Sequence, residues 1–434
     1  MLVIKNGVIM KKVRNSTILI ILAFVLLFSF CSCEKAMEKE YNTTPTDARD
    51  NIMLDFILGM DVSCVPALEA SGVKYYDYDG QEKDVFEILN SNGINYIRVR
   101  VWNDPFNAQG FGYGGGNCDI DNAIEIGVRA AKYGMKLLVD FHYSDFWADP
   151  GKQKAPKKWE NLAIDEKAKA LHDYTKDCLS KLQKAGADIG MVQIGNETNG
   201  AFCGESSEKN GGWERIAKLM NAGSEAVREI CPEAMVAVHF TNPEKIGNYE
   251  YFCKNLEYYG VDYDVFASSY YPYWHGTLDN LSKVLSDVGK KYQKKVMVAE
   301  TSYAYTLKNS DFHANTIGTG AEIAENYSFT EQGQADFVHD VVDTIKNKTT
   351  NGIGVFYWEG TWISVGNDSY EKNLAVWEKF GSGWATSYAA EYDAEDAGKW
   401  FGGCAVENQA FFDEKGRVTE ALKVYKLLNS GGEK

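Results

Sequence analysis

The chain has 434 residues, enough for two ordinary domains or one large barrel, and carries a formal net charge of −16. That charge argues against nucleic acid or an anionic polymer as the principal ligand, because like charges repel, and it suits a neutral polysaccharide. The 10 Trp and 26 Tyr residues often stand beside Gly, Asn, Asp or His, where flat rings can stack on sugars, although most are expected to pack in the core.

The N-terminal segment, residues 1–33, has the composition of an export signal. Basic residues at positions 11, 12 and 14 precede an apolar run over residues 18–30, which is too short to span a membrane comfortably. The segment is similar to a bacterial lipoprotein signal, in which a small residue such as Ser32 precedes a lipidated Cys33. We therefore expect a membrane-anchored lipoprotein at the cell surface or periplasmic face, with simple secretion after nearby cleavage as the alternative.

Residues 34–50 are polar and predict a flexible tether in front of a single domain over residues 51–434. Seven cysteines follow the tether at irregular spacing, and this odd number predicts neither a disulfide framework nor a zinc site. At most one or two bridges are expected among them: Cys64, Cys118, Cys178, Cys203, Cys231, Cys253 and Cys404.

From residue 56 onward, apolar strand-like runs alternate with helical patterns. Helices are predicted from 84, over 122–133, 165–184 and 213–230, and strands over 56–61, 95–102, 136–143, 191–194, 235–241, 264–271, 295–300 and 352–359. Eight strands alternating with helices imply parallel pairing and closure, so the predicted fold class is α/β, a (β/α)8 TIM barrel. A doubly wound open sheet is the alternative, but polar residues recur at the ends of nearly all the runs rather than at one switch point.

Two of the predicted strands lead into a glutamate. The fourth is followed by Gly195-Asn196-Glu197, and the seventh ends at Glu300. An apolar core would reject these carboxylates, so both are expected at the open ends of their strands, facing each other across the mouth of the barrel. Paired carboxylates in such a position supply the acid/base and the nucleophile of glycosidases. A single strand-end glutamate is more often a solvated loop residue or a salt-bridge partner.

These strand ends resemble glycoside hydrolase family 53, the arabinogalactan endo-β-1,4-galactanases, over nearly the whole stretch between residues 59 and 413. The resemblance implies a retaining barrel glycosidase that cuts the neutral β-1,4-galactan side chains of pectin internally. The motifs that carry it occur in order along the chain: Gly59-Met60-Asp61-Val62-Ser63, Ile97-Arg98-Val99-Arg100-Val101-Trp102, Asp140-Phe141-His142-Tyr143-Ser144-Asp145, Ile194-Gly195-Asn196-Glu197, Tyr270-Tyr271-Pro272 and Glu300-Thr301-Ser302-Tyr303.

By this resemblance, Glu197 is the acid/base and Glu300 the nucleophile of a double displacement, which requires carboxyl oxygens about 5 to 5.5 Å apart. One carboxyl must hold a proton near neutral pH while the other stays ionised, through burial, neighbouring charge and a nearby Arg. Arg98 or Arg100 is the expected cation, because the two point to one face of their strand. Pairing with a structural carboxylate such as Asp61 is the alternative.

Several further residues are predicted to bind substrate. Asn196 is suited to hydrogen-bond the sugar 2-hydroxyl, and Tyr271 to orient Glu300. His142 and His239 lie near strand ends, where sugar or carboxylate partners are expected rather than a metal. The other candidates, including Trp platforms for successive galactose units, are Asp61, Arg98, Arg100, Tyr143, Asp145, Asn242, Ser302, Trp102, Trp274, Trp358, Trp362 and Trp384.

Residues 309–316 concentrate oxygen donors after the seventh strand. The segment is similar to the stretch that holds a structural calcium ion in bacterial members of the family, where the ion ties together the loops after the seventh and eighth strands. His313 would contribute its carbonyl, and an ordinary polar loop is the alternative. The expected Ca2+ ligands are Asn309, Asp311, His313, Asn315, Asp393 and Asp396.

The first functional hypothesis is therefore an endo-β-1,4-galactanase, a monomer that acts on a polysaccharide and has no nucleic-acid partner. A glucanase, mannanase or xylanase of the same chemistry is the runner-up, because a barrel and a glutamate pair do not identify the sugar. The alternative from a different functional class is a lipoprotein with the same fold that binds glycans without cleaving them. Retention of both glutamates and of the arginines argues against it.

Overall fold

Eight parallel strands close into a barrel in the computed structural model of the protein, which describes residues 56–430 except 210, 324, 367, 368, 396 and 398–400. The barrel strands are β1 (Ile57–Asp61), β2 (Tyr96–Val101), β3 (Lys136–Phe141), β4 (Ile189–Ile194), β7 (Met235–Phe240), β8 (Val265–Ser269), β9 (Lys295–Glu300) and β10 (Gly352–Tyr357). They pair in that order, and β10 pairs with β1 to close the barrel. A two-residue hairpin of β5 (Ala201–Phe202) and β6 (Glu205–Ser206) follows β4.

Helices connect the strands. Several begin at a residue whose side chain accepts a backbone N–H: Asp119 caps α3, Thr277 caps α7 and Thr330 caps α8. The helices of the described residues are α1 (Val65–Ala70), α2 (Val85–Ser91), α3 (Ile120–Lys132), α4 (Ile164–Ala185), α5 (Gly212–Ile230), α6 (Asn248–Tyr258), α7 (Leu278–Tyr292), α8 (Glu331–Asp343), α9 (Tyr370–Phe380) and α10 (Val424–Asn429).

The barrel interior has an apolar layer and, nearer the carboxyl ends of the strands, a polar layer. Side chains two residues apart on a strand point to the same side, so Leu138 of the apolar layer is followed by Asp140, and Met191 by Gln193. Arg98 joins these polar residues, and all of them are buried. Buried charges must be paired, so the polar layer is where this sequence places its ionic chemistry.

The hairpin after β4 is anchored to two helices by an ion-pair cluster. Lys167 of α4 and Arg215 of α5 contact the two oxygens of Glu205 at 2.7 and 2.6 Å. Burial would raise the pKa of Glu205, but the hydrogen bonds from Arg215 and Lys167 hold it at about 2. The β5–β6 hairpin, which follows the loop that carries Glu197, is thereby held against α4 and α5.

The predicted α/β barrel is confirmed, and its eight strands differ from the predicted ones only at their ends. The hairpin β5–β6 was not predicted, because two-residue strands carry no periodic signal. The expected signal over 1–33 and tether over 34–50 lie outside the described residues, and the domain bounds stay predictions. The seven described cysteines are all free and buried. No helix of the described part of the chain has both the length and the hydropathy to cross a membrane.

Candidate active site

Glu197 and Glu300 lie in one cleft at the carboxyl ends of the barrel strands, with a volume of about 410 Å³. Glu300 is the last residue of β9, whereas Glu197 follows β4 after a sharp turn. In that turn Gly195 has φ 93° and Glu197 has φ 47°. A Cβ on Gly195 would come within 2.7 Å of the Phe202 ring, so the turn requires glycine there.

Glu300 is held by a cation and a phenol. Arg98 donates from Nη2 to Oε1 at 2.8 Å, and the Tyr271 hydroxyl donates to Oε2 at 3.1 Å. Burial raises the pKa of Glu300, and the positive charge of Arg98 opposes that rise. Both carboxylate oxygens are therefore bound by donors that favour the ionised form and fix its orientation.

Arg98 is fully buried and contacts more than one carboxylate. Its guanidinium also donates to Asp61 Oδ2 at 3.0 Å, to Asp140 Oδ2 at 2.8 Å and to Asn196 Oδ1 at 3.0 Å. Both sequence interpretations of this arginine therefore hold together: it pairs with structural carboxylates and with Glu300. Arg98 lies behind Glu300 with no exposed surface, so the prediction that it contacts the sugar directly is wrong.

Glu197 has a different environment. The Ser269 hydroxyl donates to its Oε1 at 2.6 Å, and Ser269 is itself 2.9 Å from Nε2 of His239. Burial, and then the charge of Glu300, raise the pKa of Glu197 to about 8. Burial and the charge of Arg98 lower the pKa of His239 well below its usual value, so that ring stays neutral. Glu197 is thus the carboxyl that holds a proton at neutral pH.

Asn196 and His142 also line the cleft that holds the two glutamates. Asn196 donates from Nδ2 to the carbonyl of Ala148 at 2.9 Å, which leaves its second amide hydrogen available to a sugar hydroxyl. His142 Nδ1 accepts from Trp102 Nε1 at 3.0 Å and from the Ala148 N–H at 3.1 Å. Its proton therefore lies on Nε2, which donates to Asp140 at 3.1 Å.

Most of the predicted substrate residues line the cleft. Trp274 is 53% exposed, on the loop after β8, while Trp358 and Trp384 lie on the loop after β10. The predicted residues that the structure brings to the cleft are Arg100, His142, Asn196, Asn242, Tyr271, Trp274, Ser302, Trp358 and Trp384, together with both glutamates.

Five other candidates do not reach the cleft, so a direct substrate contact is wrong for them. Asp61 is buried beneath the two arginines. The Trp102 and Trp362 rings are fully buried, and neither can serve as a sugar platform. Tyr143 has φ 48° and hydrogen-bonds Thr175 of α4, away from the barrel axis. Asp145 is buried and accepts the backbone N–H of Lys157 at 2.7 Å.

The structure adds cleft residues that the sequence did not indicate. They include Trp147, Asp149, Thr241, His275 and Gln409. Trp147 is the most informative of them, because it follows the third-strand motif by only a few residues and could have been suspected from that position. Ser269, which binds Glu197, lies within a predicted strand and resembles any serine in an apolar run.

The predicted calcium ligands separate into two places. Asp311 is fully buried, and Asn309 is exposed. Asp393 contacts Lys152, with 3.3 Å between Oδ2 and Nζ, and its role as a ligand stays a prediction. Asp396 lies outside the described residues. A glutamate that was not predicted, Glu407, lies beside Asp311.

Asp311 and Glu407 form a buried acidic pair. Burial raises the pKa of Asp311 to about 6; burial and the charge of Asp311 together raise that of Glu407 to about 8. Glu407 Oε2 and Asn315 Oδ1 are enclosed, with no hydrogen-bond partner among the described residues. The described residues contain no cluster of three or more His, Cys, Asp or Glu side chains around a common point. Amide and carbonyl oxygens would have to complete any cation site.

The family model "Glycosyl hydrolase family 53" matches residues 57–425. An endo-β-1,4-galactanase of Bacillus subtilis (strain 168) is 51% identical over 428 residues, which cover 96% of this chain and 98% of that protein. An arabinogalactan endo-β-1,4-galactanase of Cellvibrio japonicus is 35% identical over 78% of this chain and 87% of its own.

Solved structures agree with this comparison. The GH53 catalytic domain of Ignisphaera aggregans superposes with a TM-score of 0.77 at 38% identity, covering 89% of this chain and 99% of that one. A fungal β-1,4-galactanase structure superposes with a TM-score of 0.67 at 27% identity, over 85% of this chain and 98% of the fungal chain. The protein described here therefore belongs to glycosyl hydrolase family 53.

Proposed function

We propose that this protein is an endo-β-1,4-galactanase that hydrolyses the galactan side chains of pectin by a retaining double displacement. The observation that carries the proposal is the pair of glutamates in one cleft: Glu300 is held ionised by Arg98 and Tyr271, and Glu197 has a raised pKa beside Ser269. The galactanase names of the B. subtilis and C. japonicus relatives support galactan as the substrate. The formal net charge of −16 suits a neutral polymer.

In the first step, a Glu300 oxygen attacks the anomeric carbon while the glycosidic oxygen takes the proton of Glu197 and leaves with the rest of the chain. In the second, the Glu197 carboxylate removes a proton from water, the water oxygen attacks the same carbon, and the ester bond to Glu300 breaks. Two inversions at one carbon give net retention. Asn196 lines the cleft, and in this mechanism its amide binds the 2-hydroxyl of the sugar during both steps.

The electrostatics of the pair explain how Glu197 changes role. After burial, the charge of Glu300 is the largest of the causes that raise the pKa of Glu197. When Glu300 becomes an ester it loses that charge, and the pKa of Glu197 falls. The group is therefore an acid when a leaving group needs a proton, and a base when water must lose one.

We also propose that the acidic pair binds a structural calcium ion, with Asp311, Glu407 and Asn315 as side-chain ligands. Two buried carboxylates with raised pKa values, beside unpartnered carboxylate and amide oxygens, form the hard oxygen environment that Ca2+ prefers. When bound, the ion supplies positive charge that offsets the two carboxylates. The residues join the loop after β9 to the short helical turn Glu407–Gln409, near the cleft residue Gln409.

We further propose export and lipid anchoring through Cys33. The basic residues at 11, 12 and 14, the apolar run over 18–30 and the Ser32-Cys33 pair support this proposal. These residues lie outside the part of the chain that the structure describes. A surface location fits an enzyme whose substrate is too large to be imported intact.

The pH dependence of turnover tests the roles of the glutamates. Since Glu300 must be ionised and Glu197 protonated, kcat/KM is expected to fall as pH drops through the pKa of Glu300 and as pH rises through that of Glu197, about 8. Ser269→Ala removes a hydrogen bond that lowers the pKa of Glu197. The alkaline limb of the pH profile of kcat/KM should therefore move to higher pH by roughly 0.5–1 unit. Ser268→Ala, whose hydroxyl contacts Tyr249 instead, is the control. An alkaline limb that does not move in Ser269→Ala would contradict the assignment.

Product release tests the substrate. The enzyme is expected to release oligomers of many lengths early from β-1,4-galactan and little from glucan, mannan or xylan, as resolved by size. Glu300→Ala and Glu197→Ala should each lower turnover on galactan by roughly 10⁴-fold or more while leaving binding nearly intact. If the enzyme hydrolyses another of these polymers in preference, galactan is the wrong substrate, although the catalytic role of the glutamate pair stands. If it binds the polymers but releases products from none of the four, the non-catalytic hypothesis is favoured.

Chelation tests the calcium site. Adding EGTA should lower the melting temperature by several degrees, because a ligand that binds only the folded state stabilises it, and readdition of Ca2+ should restore it. Glu407→Gln should abolish this response, whereas Asp393→Asn should keep it. The proposal fails if the wild-type transition is unchanged and elemental analysis finds no bound calcium.

A further inference from the structure

A third glutamate at the carboxyl end of the barrel, Glu359, is buried and takes no part in the mechanism. It follows β10, its side chain has no exposed surface, and its backbone has φ 49°. A buried carboxylate in a left-handed backbone conformation is costly and persists only where the surrounding structure holds it. Glu359 does not line the cleft, so a direct role in the chemistry is excluded for it.

The partner of Glu359 is Arg100, whose Nη2 lies 2.6 Å from Oε1. Arg100 is also held from its other side by Asp61, with 3.1 Å between Nη1 and Oδ1. Burial raises the pKa of Glu359 and the charge of Arg100 opposes that rise, so Glu359 depends on Arg100 for its charge. The two carboxylates fix the plane of the guanidinium.

The guanidinium of Arg100 contacts indole rings. Its central carbon lies 4.6 Å from the ring of Trp147 and 5.9 Å from that of Trp358. Trp147 in turn stacks on Trp384, with 4.6 Å between ring centroids and 15° between planes. Trp147 also donates from Nε1 to the carbonyl of Trp384 at 3.1 Å. We call Trp147, Trp358 and Trp384 the aromatic wall.

All three rings of the aromatic wall line the cleft that holds Glu197 and Glu300. Trp147 comes from the loop after β3, whereas the other two come from the long loop after β10. Rings on separate loops do not hold a common orientation by covalent connection alone. The Arg100–Glu359 pair joins them, because Glu359 follows Trp358 directly and Arg100 reaches Trp147.

We propose that Glu359 is a positioning residue that, through Arg100, holds the aromatic wall ready for sugar units next to the cleaved bond, and so determines how much the enzyme gains from longer substrates. A wall that is ordered before binding loses less conformational freedom when a sugar stacks on it. Binding energy that such units supply equally in the ground state and the transition state lowers KM. This inference rests on the proposed galactanase function.

The test measures kcat and KM separately on β-1,4-galacto-oligosaccharides of three to six units. Wild-type kcat/KM is expected to rise with length. Glu359→Gln keeps the size of the side chain and removes its charge, so it should lose about tenfold in kcat/KM on the longest substrate, mainly through KM, and under about twofold on the shortest one that is cleaved. Glu205→Gln removes the charge of another buried, ion-paired glutamate outside the cleft, and should leave the length dependence unchanged.

A double-mutant cycle tests whether Glu359 acts through the wall. Trp384→Ala should show the same length-dependent loss of kcat/KM. Adding Glu359→Gln to it should lower kcat/KM little further, because both changes act on the same aromatic wall. Equal losses on short and long substrates, or losses that add in the cycle, would overturn the inference. If Glu359→Gln does not fold, Arg100→Lys keeps the charge but lacks the flat guanidinium, and the same length-dependent loss is expected from it.

The failures of the two proposals are distinguishable. If the wild-type enzyme cleaves none of these oligosaccharides, galactan is the wrong substrate, and the same length series from the polymer that it does cleave then tests Glu359. If the wild type cleaves them and Glu359→Gln keeps the full gain with length, the substrate stands and the positioning role of Glu359 is wrong.

Discussion

The site depends on the burial of the Arg98 guanidinium inside the barrel. An ion taken out of water costs several kcal/mol unless excellent partners replace the lost hydration. Asp61, Asp140 and Glu300 each contact this one guanidinium at 2.8 to 3.0 Å. Because the cation needs these carboxylates, the strands that carry them must meet in the observed register, and Glu300 is placed at the cleft as part of the same requirement.

This constraint gives two chemically identical side chains, Glu300 and Glu197, different surroundings. Glu300 is bound by a cation and a phenol, while Glu197 contacts a neutral hydroxyl that is itself beside a neutral histidine. Their closeness adds to the difference, since the charge of one raises the pKa of the other. The acid and the nucleophile are therefore assigned by their surroundings, which is how one pair of identical side chains can serve a two-step displacement.

Much of this architecture could be predicted from the sequence. Strands such as Lys295–Glu300 are apolar, β-branched runs that end abruptly in a polar residue, and that pattern locates both the strand and the face of the barrel where chemistry occurs. A contact between Glu300 and either Arg98 or Arg100 was also expected, because residues two apart on a strand share a face and an arginine in a core needs a partner. The structure shows that Arg98 makes it.

The parts that could not be predicted lie where the strand alternation ends. Tyr143 and Glu197 each have a positive φ just after a strand. The side chain of Tyr143 packs outward against α4, whereas that of Glu197 lies in the cleft. No sequence pattern distinguishes those two outcomes. Trp102 was expected to be a sugar platform, but contacts distant in sequence bury it. Contacts of the same kind bring Glu407, which was not predicted as a ligand, beside Asp311.

The central claim is that Glu300 forms a covalent bond to the sugar. The most direct test is to incubate the enzyme with a 2-deoxy-2-fluoro-β-galactobioside that has a dinitrophenolate leaving group. The fluorine slows both steps by destabilising the positively charged transition state, and the good leaving group restores only the first, so the intermediate accumulates. We expect the intact mass to rise by one fluoroglycosyl group per chain and peptide mapping to place it on Glu300. An adduct on another carboxylate, or turnover without any adduct and with inverted product, would contradict the account.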